Sequence, residues 1–174
     1  ADAAAQRRTH EDQGHGGGLV PVDLSGVLAE VWDLYEAVAE DKGLLPAGQI
    51  APGLRVLGDR TLIAQVLANL LDNAIKYCGP GDALTLTLAL RGGRAVLSLA
   101  DGGPGLPEGL RDEAFQRFAR ADRDRARGIQ GHGLGLALVR AIAVRHGATL
   151  TLPPVDKGLT VEIAFPPLPA DDAG

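Results

Sequence analysis

One polar stripe crosses an otherwise greasy segment. Between Asp59 and Tyr77 the residues Leu62, Ile63, Val66, Leu67, Leu70, Leu71, Ala74 and Ile75 are apolar, while Gln65, Asn69, Asn73 and Lys76 recur at spacings of four, four and three. That spacing sets the four polar residues on one face of a helix. An amide buried without a partner costs a few kcal/mol, on the order of 2–7, so the stripe demands something polar opposite it. Two occupants meet the demand. One is a satisfied amide network closing on a neighbouring loop. The other is a hard cation with its phosphates: an amide oxygen suits Mg²⁺, which takes one or two protein oxygens and leaves its other positions to phosphates and water. On the second reading Lys76 faces a phosphate.

Two glycine-rich segments offer complementary chemistry. Asp101-Gly102-Gly103-Pro104-Gly105 carries three glycines in five residues, which lets backbone approach a flat ligand closely, and an aspartate at a strand end can accept from an exocyclic amine. Adenine offers that donor and guanine, at the same atom, does not. Alone the pattern also describes an ordinary tight loop; its weight comes from following the amide-striped helix. Further on, Gly131-His132-Gly133-Leu134-Gly135-Leu136 opens a helix, and the N–H groups of a helix start form an anion site. The spacing is not that of a dinucleotide fingerprint, no Lys-Ser/Thr follows it, and no parallel βαβ units surround it, so Rossmann and P-loop readings fail. No zinc-ligand spacing or Ser-His-Asp order appears either.

The elements that must hold these residues can be read from periodicity. Residues 1–18 are polar and end in three glycines, which reads as a linker. Order is expected from about Leu19, with a short strand near Val22, then a helix capped by Asp23 or Ser25 and running through Val27, Leu28, Val31, Leu34, Tyr35 and Val38. A Pro/Gly-rich loop surrounds short strands near Gln49–Ala51 and Arg55–Leu57, and Asp59 caps the striped helix. Leu84, Leu86, Leu88 and Leu90 alternate with Thr85, Thr87 and Ala89 as a half-buried strand; Gly92-Gly93 turns it, and Ala95–Ala100 returns and delivers Asp101. Arg111 to Phe118 reads as a short helix. Ala119–Gln130 has almost no apolar anchors and is expected to be mobile. A helix from Leu134 to His146, strands at Ala148–Leu152 and Gly158–Phe165, and a tail over residues 167–174 complete the chain. This order of elements predicts an α+β sandwich, with helices on one face of a mixed, mainly antiparallel sheet.

Composition narrows the classes. The 174 residues and 45% hydrophobic content suit a single core, and with 3% aromatics aliphatic side chains must fill it. A net charge of -5 and the shortage of aromatic platforms speak against nucleic acid. The single cysteine, Cys78, can form no internal disulfide and is expected to be a small buried hydrophobe in a reducing compartment. No stretch reaches the roughly 18 apolar residues of a spanning helix, so the chain as given is expected to be soluble; a mainly monomeric, cytoplasmic unit is expected, alone or as the cytoplasmic part of an inner-membrane sensor. The chain contains no methionine and is expected to be part of a longer one.

Taken in order, the segments resemble the boxes of the histidine kinase catalytic domain, in the superfamily of gyrase, Hsp90 and MutL, over roughly Leu19 to Pro166. Asn69-Leu70-Leu71-Asp72-Asn73-Ala74-Ile75-Lys76-Tyr77 resembles the asparagine box, Asp101 to Gly105 the first glycine box, Phe115 to Phe118 the phenylalanine box and Gly131 to Leu136 the second glycine box. The resemblance implies a Bergerat-type fold binding ATP and Mg²⁺. Asn73 would hold the metal, Asn69 would support metal or phosphates, and Lys76 and Tyr77 would line the phosphate and sugar side. Asp101, with Gly103 and Gly105 beside it, would read the adenine amine. Gly131, Gly133, Leu134, Gly135 and Leu136 would grip the phosphates under a lid carrying Arg120 and Arg125. Implied partners are a dimerisation domain bearing the acceptor histidine and a downstream response regulator. His10-Glu11-Asp12 lacks the context of that histidine and is rejected as acceptor. Where the superfamily's ATPases carry a glutamate, Asn69 stands; a neutral amide cannot serve as general base, which favours phosphotransfer over hydrolysis. Gly102 replaces the usual asparagine of the first glycine box, and Leu159 follows Gly158 where the family often has threonine. Two rivals remain at this level: a related serine kinase that regulates a sigma factor, and a nucleotide-sensing interaction module without catalysis.

Overall fold

A computed structural model gives the structure of the protein and describes residues 18–104 and 134–169, with backbone alone at Leu134 and Gly135. Asp23 caps the first helix, α1 (Leu24–Asp41), by accepting from Gly26 N–H at 3.0 Å. Asp59 caps the second, α2 (Arg60–Tyr77), by accepting from Leu62 N–H at 3.1 Å. Each aspartate satisfies a backbone donor that the first turn leaves orphaned and adds negative charge at the positive end of the helix. The third, α3 (Leu134–Arg145), stops before Gly147, whose φ of 64° ends the helix in a conformation that glycine adopts freely.

Val20–Asp23 (β1) and Arg55–Gly58 (β3) pair antiparallel as a small ribbon. The main sheet contains β2 (Leu45–Ile50), β4 (Ala83–Arg91), β5 (Arg94–Asp101), β6 (Thr149–Thr151) and β7 (Leu159–Phe165) in the order β2-β4-β5-β7-β6. Only the β2–β4 pairing is parallel; the others are antiparallel. The sheet is therefore mixed and mainly antiparallel, and with the helices it makes the expected α+β sandwich.

Register explains the core. Leu86 pairs with Leu99 and Leu99 with Val161; Leu88 pairs with Leu97 and Leu97 with Ile163. These residues form rows across one face, all buried in the cluster that holds Leu67, Leu70 and Leu71 of α2. Gly92 and Gly93, at φ 56° and 79°, make the β4–β5 hairpin turn.

Two elements differ from the sequence reading. The strand expected at Gln49–Ala51 starts earlier, at Leu45, and contains Pro46 and Gly48. It lies at the sheet edge, where a missing N–H is tolerated. A Cβ at Gly48 would come within 2.6 Å of the Trp32 indole nitrogen, so the glycine makes room for that buried ring. The apolar face expected along α1 also turns: Trp32 and Ala39 are buried toward β2, whereas Leu34 and Val38 are 71% and 49% exposed.

Candidate nucleotide-binding site

The helix α2 buries Ile63, Val66, Leu67, Leu70, Leu71, Ala74 and Ile75, and this apolar side fixes its rotation about its own axis. The polar stripe then emerges along the rim. Gln65 and Lys76 are exposed, while Asn69 and Asn73 are half-buried. The Tyr35 hydroxyl, on α1, donates to Asp72; burial first, then this carboxylate, raises the tyrosine pKa. At the end of α2, Lys42 donates through Nζ to Ile75 O and, at 3.3 Å, to Lys76 O, supplying a cation and a donor to the last carbonyls. Lys76 Nζ lies 5.6 Å from the Tyr77 ring centroid.

Among the described residues, Asn73 Nδ2 is the one buried side-chain nitrogen or oxygen without a hydrogen-bond partner. A desolvated amide is costly, and an Asn side chain turned over exchanges its donor for its acceptor at almost the same place. The amide of Asn73 thus has unspent hydrogen-bonding or ligating capacity, which fits a site for a cation and phosphate oxygens.

Asp101 ends β5 in register with Leu84 on one side and Leu159 on the other. Its position two residues after Leu99 gives it the parity of the helix-facing rows. The carboxylate accepts from Gly103 N–H at 3.0 Å, and the Leu159 backbone and the Cys78 thiol lie close enough to lower its pKa. Burial pushes its pKa above the ordinary carboxylate range; these three groups pull it back, and the charge of Asp82 pushes it further up. Around it the backbone is tightly fitted. A Cβ on Gly103 would meet Cys78 Sγ at 3.0 Å and Asp101 Oδ1 at 3.2 Å, and one on Gly102 would meet the backbone nitrogen of Ala83 at 3.2 Å. Gly102, which also donates its N–H to Ala83 O at 2.8 Å, therefore occupies a place where any side chain forces a small shift. The second departure, Leu159, contributes through its backbone N–H, which is independent of side-chain identity.

Sequence reasoning missed two residues here. Cys78, expected as a plain buried hydrophobe, is 3% exposed but has a polar partner in Asp101; its place directly after the asparagine box was the available signal. Gly158, at φ 78°, would set a Cβ 1.8 Å from Asp101 O, so it is the glycine that lets the start of β7 close on Asp101.

The third segment is placed by α3. His146, just past its end, accepts from Asp59 N–H through Nε2 at 3.0 Å, and its Nδ1 lies 2.8 Å from Ile142 O. With its end tied there to the start of α2, α3, 12 residues or about 18 Å long at 1.5 Å per residue, packs against α2. Leu136, in its first turn, is buried in the core. Gly105, Arg120, Arg125, Gly131 and Gly133, together with the Phe115–Phe118 segment, lie outside the described residues. So the structure brings Asn69, Asn73, Lys76 and Tyr77 to one helix flank, joined through Cys78 to Asp101 and Gly103.

Residues 58–170, well over half of the chain, match the family of histidine kinase-, DNA gyrase B-, and HSP90-like ATPases. The chain belongs to this family. Among curated members, the sensor-like histidine kinase SenX3 of Mycobacterium tuberculosis is 32% identical over 151 residues, covering 86% of this chain and 37% of that protein. This ATPase-like chain thus spans a little over a third of the length of such a relative. Among solved structures, the catalytic domain of histidine kinase ThkA superposes with a TM-score of 0.72 at 26% identity, covering 86% of this chain and 96% of that one. Full-length ShkA in complex with AMPPNP gives 0.69 at 30% identity, covering 86% of this chain and 31% of that one. ThkA in complex with the response regulator protein TrrA gives 0.69 at 25% identity, over 85% and 41%.

Proposed function

We propose that residues 19–166 form the ATP-binding catalytic domain of a sensor histidine kinase, which holds Mg·ATP and presents the γ-phosphate to a histidine on a separate dimerisation domain. The observation that carries this reading is the junction of α2 with β5: a partly buried amide flank with unspent capacity at Asn73 and, one thiol away, a buried carboxylate at a strand tip beside a glycine with no room for a side chain. Asp101 accepts from the adenine amine. Asn73, supported by Asn69, would hold Mg²⁺, which would supply neutralisation of the phosphate charge. Lys76 and Tyr77 line the phosphate and sugar side. Leu134, Gly135 and Leu136 open the helix that would meet the phosphates; Gly105, Arg120, Arg125, Gly131 and Gly133, outside the described residues, are nucleotide contacts by resemblance alone.

The chain's own contribution is positioning and charge neutralisation. Asn69 has no basic atom to deprotonate water, so the phosphoryl group awaits the histidine nucleophile. The response regulator in the ThkA complex and the AMPPNP in the ShkA complex support the same two partners for this chain, a nucleotide and a downstream regulator. Mixed with γ-labelled ATP and the dimerisation domain of its parent kinase, the chain transfers label to histidine, in an acid-labile and base-stable linkage. No transfer at any concentration, or an acid-stable phosphoserine, contradicts the reading.

A further inference from the structure

We infer that Lys42 is a positioning residue for the phosphate side of the nucleotide: its ammonium caps the last carbonyls of α2 and so leaves the side chain of Lys76 to face the site. The inference rests on the proposed nucleotide reading and names a residue that acts through Lys76. The end of a helix presents carbonyls without intrahelical partners and a partial negative charge, and it draws a cation within reach. Two lysines stand near that end of α2. Lys76 is the basic residue of the last turn, but the cation on the carbonyls comes from outside the helix, because Lys42 donates through Nζ to Ile75 O and to Lys76 O. The Lys76 ammonium lies instead over the Tyr77 ring, 5.6 Å from its centroid, where a cation is attracted to an aromatic face.

The turn that carries Lys42 holds it in place for this. Lys42 is the C-cap of α1, with its own N–H donated to Val38 O at 3.2 Å. Although α1 ends in Glu40-Asp41 and has no basic residue in its last turn, the Lys42 ammonium reaches across to α2. Gly43, at φ 89°, then reverses the chain, and buried Leu44 anchors it in the core. From there the turn is bonded to the corner that follows α2: Gly81 N–H donates to Gly43 O at 2.8 Å, and Leu45 N–H donates to Asp82 O at 2.9 Å. The corner itself is braced by Asp82, whose carboxylate accepts from Gly79 N–H at 2.8 Å. Two backbone bonds thus hold the α1–β2 turn against the segment that leaves α2, and the Lys42 side chain spans the gap between them. Without that cation Lys76, in the same turn as the orphaned carbonyls, is left to serve them and is drawn away from the phosphates.

The test is a double-mutant cycle on affinity, measured by calorimetry in the presence of Mg²⁺ with ATP and with adenosine, which has no phosphates. Lys42→Met, which keeps the apolar stem and removes the charge, should weaken ATP about two- to fivefold, the worth of one charge at a helix end, and leave adenosine nearly unchanged. In a Lys76→Met background the same substitution should cost nothing further, because the residue it acts through is gone. Lys42→Arg, which keeps both charge and donors, should retain most of the wild-type affinity. An ATP affinity unchanged in Lys42→Met, equal weakening of ATP and adenosine, a loss that adds in full to that of Lys76→Met, or an arginine variant that behaves like methionine overturns the role of Lys42 while leaving the nucleotide site standing. A wild-type chain that binds no ATP instead overturns the reading on which the inference rests.

Discussion

At the residue scale, Asp101 is a carboxylate held in a buried place at the tip of β5. Its folded pKa is raised, chiefly by burial, so its ionised form is disfavoured by folding. The sign follows from linkage. A group whose folded pKa lies above its unfolded value contributes most below the unfolded pKa, about 4 for a carboxyl, and that contribution fades as pH rises through the folded pKa. Asp101→Asn, which mimics the protonated form and keeps an acceptor for the surrounding donors, should therefore leave the melting temperature of the nucleotide-free chain unchanged or slightly higher near pH 7. The difference should vanish near pH 3, while preference for ATP over purine riboside triphosphate, which lacks the exocyclic amine, is lost. Thermal melts across that range check it; a marked loss of stability near neutrality would mean that the carboxylate is held by more than its three donors. Asn73 follows the same logic: its buried amide nitrogen has no hydrogen-bond partner, and the proposed site gives that amide one.

Several elements are arranged to bring this carboxylate and those amides together. Gly158 combines a left-handed φ of 78° with a Cβ position 1.8 Å from Asp101 O, so Gly158→Ala suffers both backbone strain and a clash with main chain. The expected cost is about 2–5 kcal/mol, read by denaturant unfolding, with nucleotide affinity falling as β7 moves off the strand tip. An alanine variant as stable as wild type would contradict the placement of this junction. Elements also mark how far the sequence is legible. Asp59 as a cap, Asp23 as one of two candidate caps, the apolar side of α2 and the Gly92-Gly93 hairpin follow from local chemistry within a few residues, and the structure has all of them, with Asp23 rather than Ser25 as the cap. The course of β2 was not legible, because Pro46 and Gly48 read locally as loop, and only the Trp32 ring over Gly48 and the parallel pairing with β4 make them a strand. Cys78 escaped for the same reason: its chemistry lies in a contact with Asp101, 23 positions away along the chain, which no periodicity encodes.

Across the whole molecule, one apolar cluster joins the sheet to α2, so the flank of α2 that carries Asn69 and Asn73 and the strand that carries Asp101 share one core. His146 ties α3 to the start of α2 by engaging Asp59 N–H and Ile142 O. Among the described residues no helix is long and apolar enough to cross a membrane. The central claim is that Asn69, Asn73, Asp101 and the start of α3 surround a single nucleotide. The most direct measurement is a ¹⁵N-resolved NMR titration of the chain with AMPPNP and Mn²⁺ in place of Mg²⁺. The account predicts that the side-chain amide signals of Asn69 and Asn73 are bleached by the paramagnetic ion, while the backbone amide of Gly103 shifts on nucleotide binding and broadens far less. Bleaching centred elsewhere, or a Gly103 signal that ignores the nucleotide, would contradict it.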